Sequence, residues 1–117
     1  MINLINNSSH DNFYNELKRS FVGCRRFYFN VAFVSYSGLQ LLLDIFKKAE
    51  DEKIEGRIIT STYLNFTDPK ALNKINTFSN IDLRIFVAKE NQGFHPKAYI
   101  FEYDKFYKII IGFKVNE

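Results

Sequence analysis

Cysteine is nearly absent from this 117-residue chain, and Cys24 has no second thiol with which to form an internal disulfide. That points to a reducing compartment, so a cytoplasmic location is expected. Two histidines beside that one cysteine are too few for a typical zinc site built within a single chain. Long apolar runs are missing as well. The longest, such as Leu41-Leu42-Leu43 and Ile109-Ile110-Ile111, fall far short of the roughly 20 residues that a membrane-spanning helix needs. Met1 to Ser9 is polar and lacks the apolar stretch of a secretory leader. No stretch rich in proline, glycine or serine interrupts the chain, and no repeat is present. One continuous domain over residues 1–117 is therefore expected. A Gly-x-x-x-x-Gly-Lys-Ser/Thr loop is also lacking, so the chain by itself is not expected to hydrolyse ATP.

What the chain does have is aromatic mass. Thirteen Phe and seven Tyr exclude a solvated, disordered tail and supply one modest core. Sixteen basic against thirteen acidic residues give a net charge of +3. That balance permits a phosphate-bearing partner without requiring one.

Helical and strand patterns alternate along the chain. Ser9 to Asp11 offer N-caps for a first helix whose stripe is Phe13, Leu17 and Phe21, with Gly23 as its stop. Arg25 to Val34 reads as a strand: Phe27, Phe29, Val31 and Phe33 share one face. Tyr28, Ala32 and Val34 keep the other fairly apolar, so both faces are expected to be covered. Ser37 and Gln40 fit a capping box before a helix with Leu39, Leu42, Leu43, Phe46 and Ala49 inward. Gly56 leads into a short strand over Arg57 to Thr60. Asp68-Pro69 opens a third helix that buries Leu72, Ile75 and Phe78. Ile81 to Val87 alternates as a half-buried strand. Lys97 to Tyr103 and Phe106 to Ile111 are joined by Asp104-Lys105 alone, which favours an antiparallel hairpin. The expected fold class is α/β: a mixed, mainly parallel sheet flanked by helices, with a C-terminal antiparallel hairpin.

The segment with chemical content is Gly93-Phe94-His95-Pro96-Lys97-Ala98-Tyr99-Ile100-Phe101-Glu102. His95 and Lys97 stand two apart at the start of a strand, a spacing that puts both side chains on one side. A neutral imidazole nitrogen is a nucleophile and an ammonium is a point charge for phosphate oxygens. Such a pair can cleave a phosphodiester through a phospho-histidine without a metal. The alternative is an ordinary surface tripeptide at a strand end.

This segment, followed by Ile109-Ile110-Ile111-Gly112, resembles the His-x-Lys-x(4)-Asp motif of the phospholipase D-like superfamily (the HKD motif). Val31-Ala32-Phe33-Val34-Ser35, Ser37-Gly38-Leu39, Ile59-Thr60-Ser61 with Tyr63-Leu64, and Phe66-Thr67-Asp68-Pro69-Lys70-Ala71-Leu72 resemble the N-terminal phospholipase D-like domain of bacterial DEAD/DEAH-type helicases. The likeness runs from about Phe27 to Gly112. It implies a mixed sheet between helices and metal-independent phosphodiester chemistry with no cofactor. One His attacks phosphorus, and a second His from another copy of the motif protonates the leaving oxygen. His95 then takes the role of nucleophile or acid, Lys97 that of phosphate clamp, and Glu102 falls where the motif has its acid. The family's later Ser and Asn are replaced here by Phe113 and Val115. The chain is accordingly expected to be a fragment or truncated copy of a longer protein with a motor domain.

Since the chain has a single His-x-Lys, a complete two-His site is expected to need a homodimer. Thr60, Ser61 and Tyr63 follow a short strand, where hydroxyls can meet a phosphate, although ordinary loop polarity explains them too. Arg25, Arg26 and Tyr28 offer charge and stacking to nucleic acid, or simply form a solvated strand start. Two functions result: a nuclease-type phosphodiesterase domain acting on DNA, or a catalytically degenerate DNA-binding or dimerisation domain. A lipid phosphodiesterase is disfavoured because no membrane-facing segment is apparent.

Overall fold

A computed structural model describes residues 2–4, 10–31, 39–40, 42–61, 68–86 and 98–111, with backbone alone for 2–4, 10–12, 61 and 86. The elements are β1 (Ile2–Leu4), α1 (His10–Ser20), β2 (Arg26–Asn30), α2 (Leu43–Asp51), β3 (Glu55–Ser61), α3 (Pro69–Ile75), β4 (Ile81–Phe86), β5 (Ala98–Glu102) and β6 (Tyr107–Ile111). The strands form one sheet in the order β1-β6-β5-β2-β3-β4. β2, β3 and β4 run parallel; β5 lies antiparallel to both β2 and β6; β1 is parallel to β6. The α/β class and the terminal hairpin are as the sequence predicts. The strand β1, in a stretch that reads from sequence only as polar, is an addition.

Local chemistry explains the element ends. α1 runs into a turn whose Gly23 adopts a φ of 76°, the left-handed region that glycine enters without strain. α2 ends in a Schellman motif: the Lys53 N–H donates to the Glu50 carbonyl at 3.1 Å and the Ile54 N–H to the Ala49 carbonyl at 2.9 Å. Lys53 takes the left-handed position there, at φ 60°. Asp68 caps α3 by accepting from the Lys70 N–H at 2.8 Å, with Pro69 in the first turn. The cap proposed at Ser37 lies outside the described residues.

Strand alternation gives the sheet two unlike faces. One carries Phe27 and Phe29 of β2 with Val31 just past it, Tyr99 and Phe101 of β5, Ile58 of β3 and Ile110 of β6, all buried. α1 lays Phe13 against Tyr99 at 5.2 Å between ring centres, and Phe21, just past its end, meets Phe27 and Phe101 at 4.9 and 5.1 Å. α2 stacks Phe46 on Phe27 at 6.0 Å and 9°, and Phe78, just past α3, meets Phe46 at 5.8 Å. Each fully buried Phe contributes about 1.5–3 kcal/mol from burial, and edge-to-face contacts add to it. The hairpin is tied to α1 by the Tyr103 hydroxyl, which donates to the Ser20 carbonyl, and by the Lys108–Glu16 ion pair.

Three expectations need correction. Among the described residues the ring contacts of the helices reach only that first face; on the other, Arg26 is exposed and Tyr28 and Asn30 half-buried. β2 is therefore not apolar on both sides, because its second face carries polar heads that need water or partners. Gly56 lies inside β3 rather than before it, since a Cβ there would run into the Phe27 ring. In α3 the buried residues are Ala71 and Ile75, while Leu72 is half-buried.

Candidate functional site

The parallel strands β2 and β3 finish at the same end of the sheet. Asn30, the last residue of β2, pairs with Ile59, and the Val31 N–H donates to the Ile59 carbonyl at 3.0 Å. On its other side Asn30 pairs with Ala98, the first residue of β5. Because β5 is antiparallel, it starts where β2 and β3 stop. The chain that precedes Ala98 thus joins the sheet at the carboxyl ends of two parallel strands, the place where open α/β sheets bind ligands. His95 and Lys97 are the third and first residues ahead of Ala98 in the sequence, and both lie outside the described residues. Tyr63 lies outside them as well.

Two buried polar atoms mark this end. The Thr60 side chain is fully buried, with no hydrogen-bond partner for Oγ1 among the described residues. Asn30 Oδ1 on the neighbouring strand is also buried and, among the described residues, without a partner. An orphaned buried polar group costs about 1–3 kcal/mol and calls for an explanation. By alternation Thr60 points to the helix-covered face and Asn30 to the opposite one. Ser61 closes β3, and its backbone alone is described. Asn30 was not singled out from sequence. Its signal is a carboxamide interrupting the apolar run Phe27-Tyr28-Phe29-Asn30-Val31.

Glu102 lies apart from this end. It is the last residue of β5, four residues from Ala98, or about 13 Å along an extended strand. There it accepts a hydrogen bond from the Tyr28 hydroxyl at 2.9 Å and pairs with Arg26 at 3.8 Å. Both partners are on β2, on the half-open face. The Glu102 hydrogen bond holds the Tyr28 hydroxyl above its ordinary pKa, and the same charge stabilises the Arg26 guanidinium further. Arg26 pairs with Glu55 too, at 3.4 Å, and Arg25 with Asp104 at 3.5 Å. These two arginines form solvated ion pairs at the amino end of β2. The structure therefore brings Thr60 and Asn30 to one end of the sheet and Glu102 to the other. Cys24 is buried, and burial pushes its thiol up to about 11, so it is no nucleophile at neutral pH.

A concavity of about 450 Å³ opens at the amino ends of β2, β3 and β4, where Arg26, Tyr28, Glu55, Arg57 and Asp82 meet. Its charges alternate in sign, and Asp82 is already held by Arg84 at 3.1 Å. No protein-family model matches the chain, and no curated protein matches it.

Proposed function

We propose that this chain is a metal-independent, nuclease-type phosphodiesterase domain of a helicase-like DNA-processing protein. The observation that carries the reading is topological. β5 begins beside the carboxyl ends of β2 and β3, and the His95-Pro96-Lys97 tripeptide directly precedes it. The orphaned hydroxyl of Thr60 sits at that same end, and a hydroxyl without a partner among the described residues can donate to an anionic oxygen.

In the proposed reaction an imidazole nitrogen of His95 attacks phosphorus. The bond to the departing sugar oxygen breaks, and the Lys97 ammonium balances charge on the non-bridging oxygens. The leaving oxygen takes a proton from a second imidazole, supplied by His95 of another copy in a homodimer. Water then attacks the phospho-histidine, returning free His95 and a phosphomonoester. A motor domain in a longer chain would feed the nucleic acid to this site.

One observation favours the second reading, a degenerate DNA-binding or dimerisation domain. Glu102, at the motif's acid position, is engaged by Tyr28 and Arg26 at the far end of β5. Cleavage of single- and double-stranded DNA in excess EDTA decides between them. The nuclease reading expects chelator-resistant cleavage that drops by on the order of a thousandfold or more in His95→Ala. Salt-dependent DNA binding without cleavage would establish the second reading instead.

A further inference from the structure

β4 closes the sheet on one side, and among the described residues no strand pairs with its outer edge. The Gly56 N–H donates to the Asn80 carbonyl at 2.9 Å, which fixes the phase of the strand. Backbone groups turn alternately to the two sides of a strand. Asp82 and Arg84 therefore offer their N–H and C=O to β3, while Ile81, Leu83 and Ile85 turn theirs to the open edge. The Ile81 N–H is used by the Phe78 carbonyl at 3.3 Å. The Ile81 carbonyl and both backbone groups of Leu83 and Ile85 are left for a further strand.

The side chains select that strand. Ile81-Asp82-Leu83-Arg84-Ile85 runs apolar, acid, apolar, base, apolar. Laid antiparallel on a copy of itself about a two-fold axis at Leu83, the row sets each Asp82 opposite Arg84 of the other copy and each Ile85 opposite Ile81. Asp82 and Arg84 then fall at positions outside the new ladder's hydrogen-bonded pairs, where side chains across two strands come closest. Asp82 is 48% exposed and Arg84 75%, and their contact within the strand at 3.1 Å leaves both reachable. On the other face the half-buried Leu83 meets its copy, and Ile85, 44% exposed, gains cover. A shift of two residues either way would oppose Asp82 to Asp82 or Arg84 to Arg84, and a shift of one would turn the faces over. Edges kept from their own copies carry charge of one sign, typically Lys, whereas this edge carries matched charges.

We infer that β4 pairs with β4 of a second copy of this chain, antiparallel and centred on Leu83, joining two six-stranded sheets into one. Leu83 and its copy exchange their hydrogen bonds, and each Ile85 N–H donates to the other copy's Ile81 carbonyl. The contact is self-complementary, so it closes at a dimer and does not propagate. An extended peptide from an unlike protein has the backbone groups but not this order of charges. In the joined sheet the two β2 strands lie about 24 Å apart (roughly five strand spacings), with their carboxyl ends pointing in opposite directions. The contact is therefore separate from one that would bring two His95 side chains together, and it stands or falls independently of the proposed chemistry.

Sedimentation equilibrium of the full chain, from about 1 to 500 μM, is expected to show a dimer. Asp82→Arg and Arg84→Asp each set like charges face to face, and each alone is expected to weaken association by about tenfold or more. The two single variants mixed together are expected to associate as the parent does, and so is the double swap Asp82→Arg, Arg84→Asp, because both restore opposite charges across the axis. These positions are exposed, and circular dichroism checks that each variant folds. Amide exchange of Leu83 and Ile85 is expected to slow as the parent dimerises. An oligomer whose mass ignores the charge variants, or single variants that fail to rescue one another, would overturn the inference. A monomer throughout would overturn it too: Leu83 and Ile85 amides already protected there would assign the edge to the chain's own backbone, and open ones would leave it to an unlike partner.

Discussion

Substituting Gly56 by alanine tests whether the aromatic packing described above sets the β2–β3 pairing. Gly56 pairs with Phe27, and a Cβ placed on it would collide with three carbons of the Phe27 ring. Non-bonded carbons rest about 3.5–4.0 Å apart, so something must move. The ring has nowhere easy to go: Phe27 is fully buried, stacked on Phe46 and held edge-on by Phe21. Overpacking of this kind costs about 1–3 kcal/mol. Alanine restores about 0.5–1 kcal/mol by restricting the unfolded chain. The net expectation is a loss of about 1–2 kcal/mol. With a urea slope of about 2 kcal/mol/M, the unfolding midpoint falls by roughly 0.5–1 M. Phe27→Leu, destabilising alone, is expected to relieve the collision when combined with Gly56→Ala, giving a coupling of at least about 0.5 kcal/mol. A Gly56→Ala protein as stable as the parent, or strict additivity in the double variant, would refute the reasoning.

Other consequences are as concrete. Lys53 occupies the left-handed position of the Schellman motif, so Lys53→Gly is expected to raise stability by about 0.5–1 kcal/mol in the same urea assay. Glu16 is held below its ordinary pKa, chiefly by its hydrogen bond to Lys108. A carboxylate depressed in the folded state adds stability above the unfolded value of 4.5, and that increment disappears as pH falls through and below it. The urea midpoint of the parent should therefore decline more steeply from pH 6 to acid than that of Glu16→Gln (a range spanning the carboxyl titration, about pH 4).

The parts of the fold legible in the sequence are those with local causes. Asp68-Pro69 caps α3 because the cap bond spans two residues, and the hairpin follows from the Asp104-Lys105 spacing. β1 was not legible, since three residues hold too little periodicity and its partner Ile109 is remote in sequence. Gly56 reads as the lead-in to β3 rather than part of it because its close neighbour, Phe27, is known only from the β2–β3 register. The site divides the same way. Polarity at the end of β3 was visible, but the burial of Thr60 follows from which face its strand turns inward. That Glu102 serves Tyr28 and Arg26 depends on β5 lying beside β2, a pairing 74 residues apart along the chain.

The outermost position of β1 has a consequence for biosynthesis. Its hydrogen-bonding neighbour, β6, joins the sheet through β5, so Ile2 and Leu4 gain a docking edge after the hairpin has settled on β2. At about 5–20 residues per second, the ribosome reaches the segment around Ile109 some 5–20 s after it has passed Ile2. Throughout that interval Ile2 and Leu4 have no strand of this sheet to pair with. The earliest of the described strands to be made is thus the latest to be fastened.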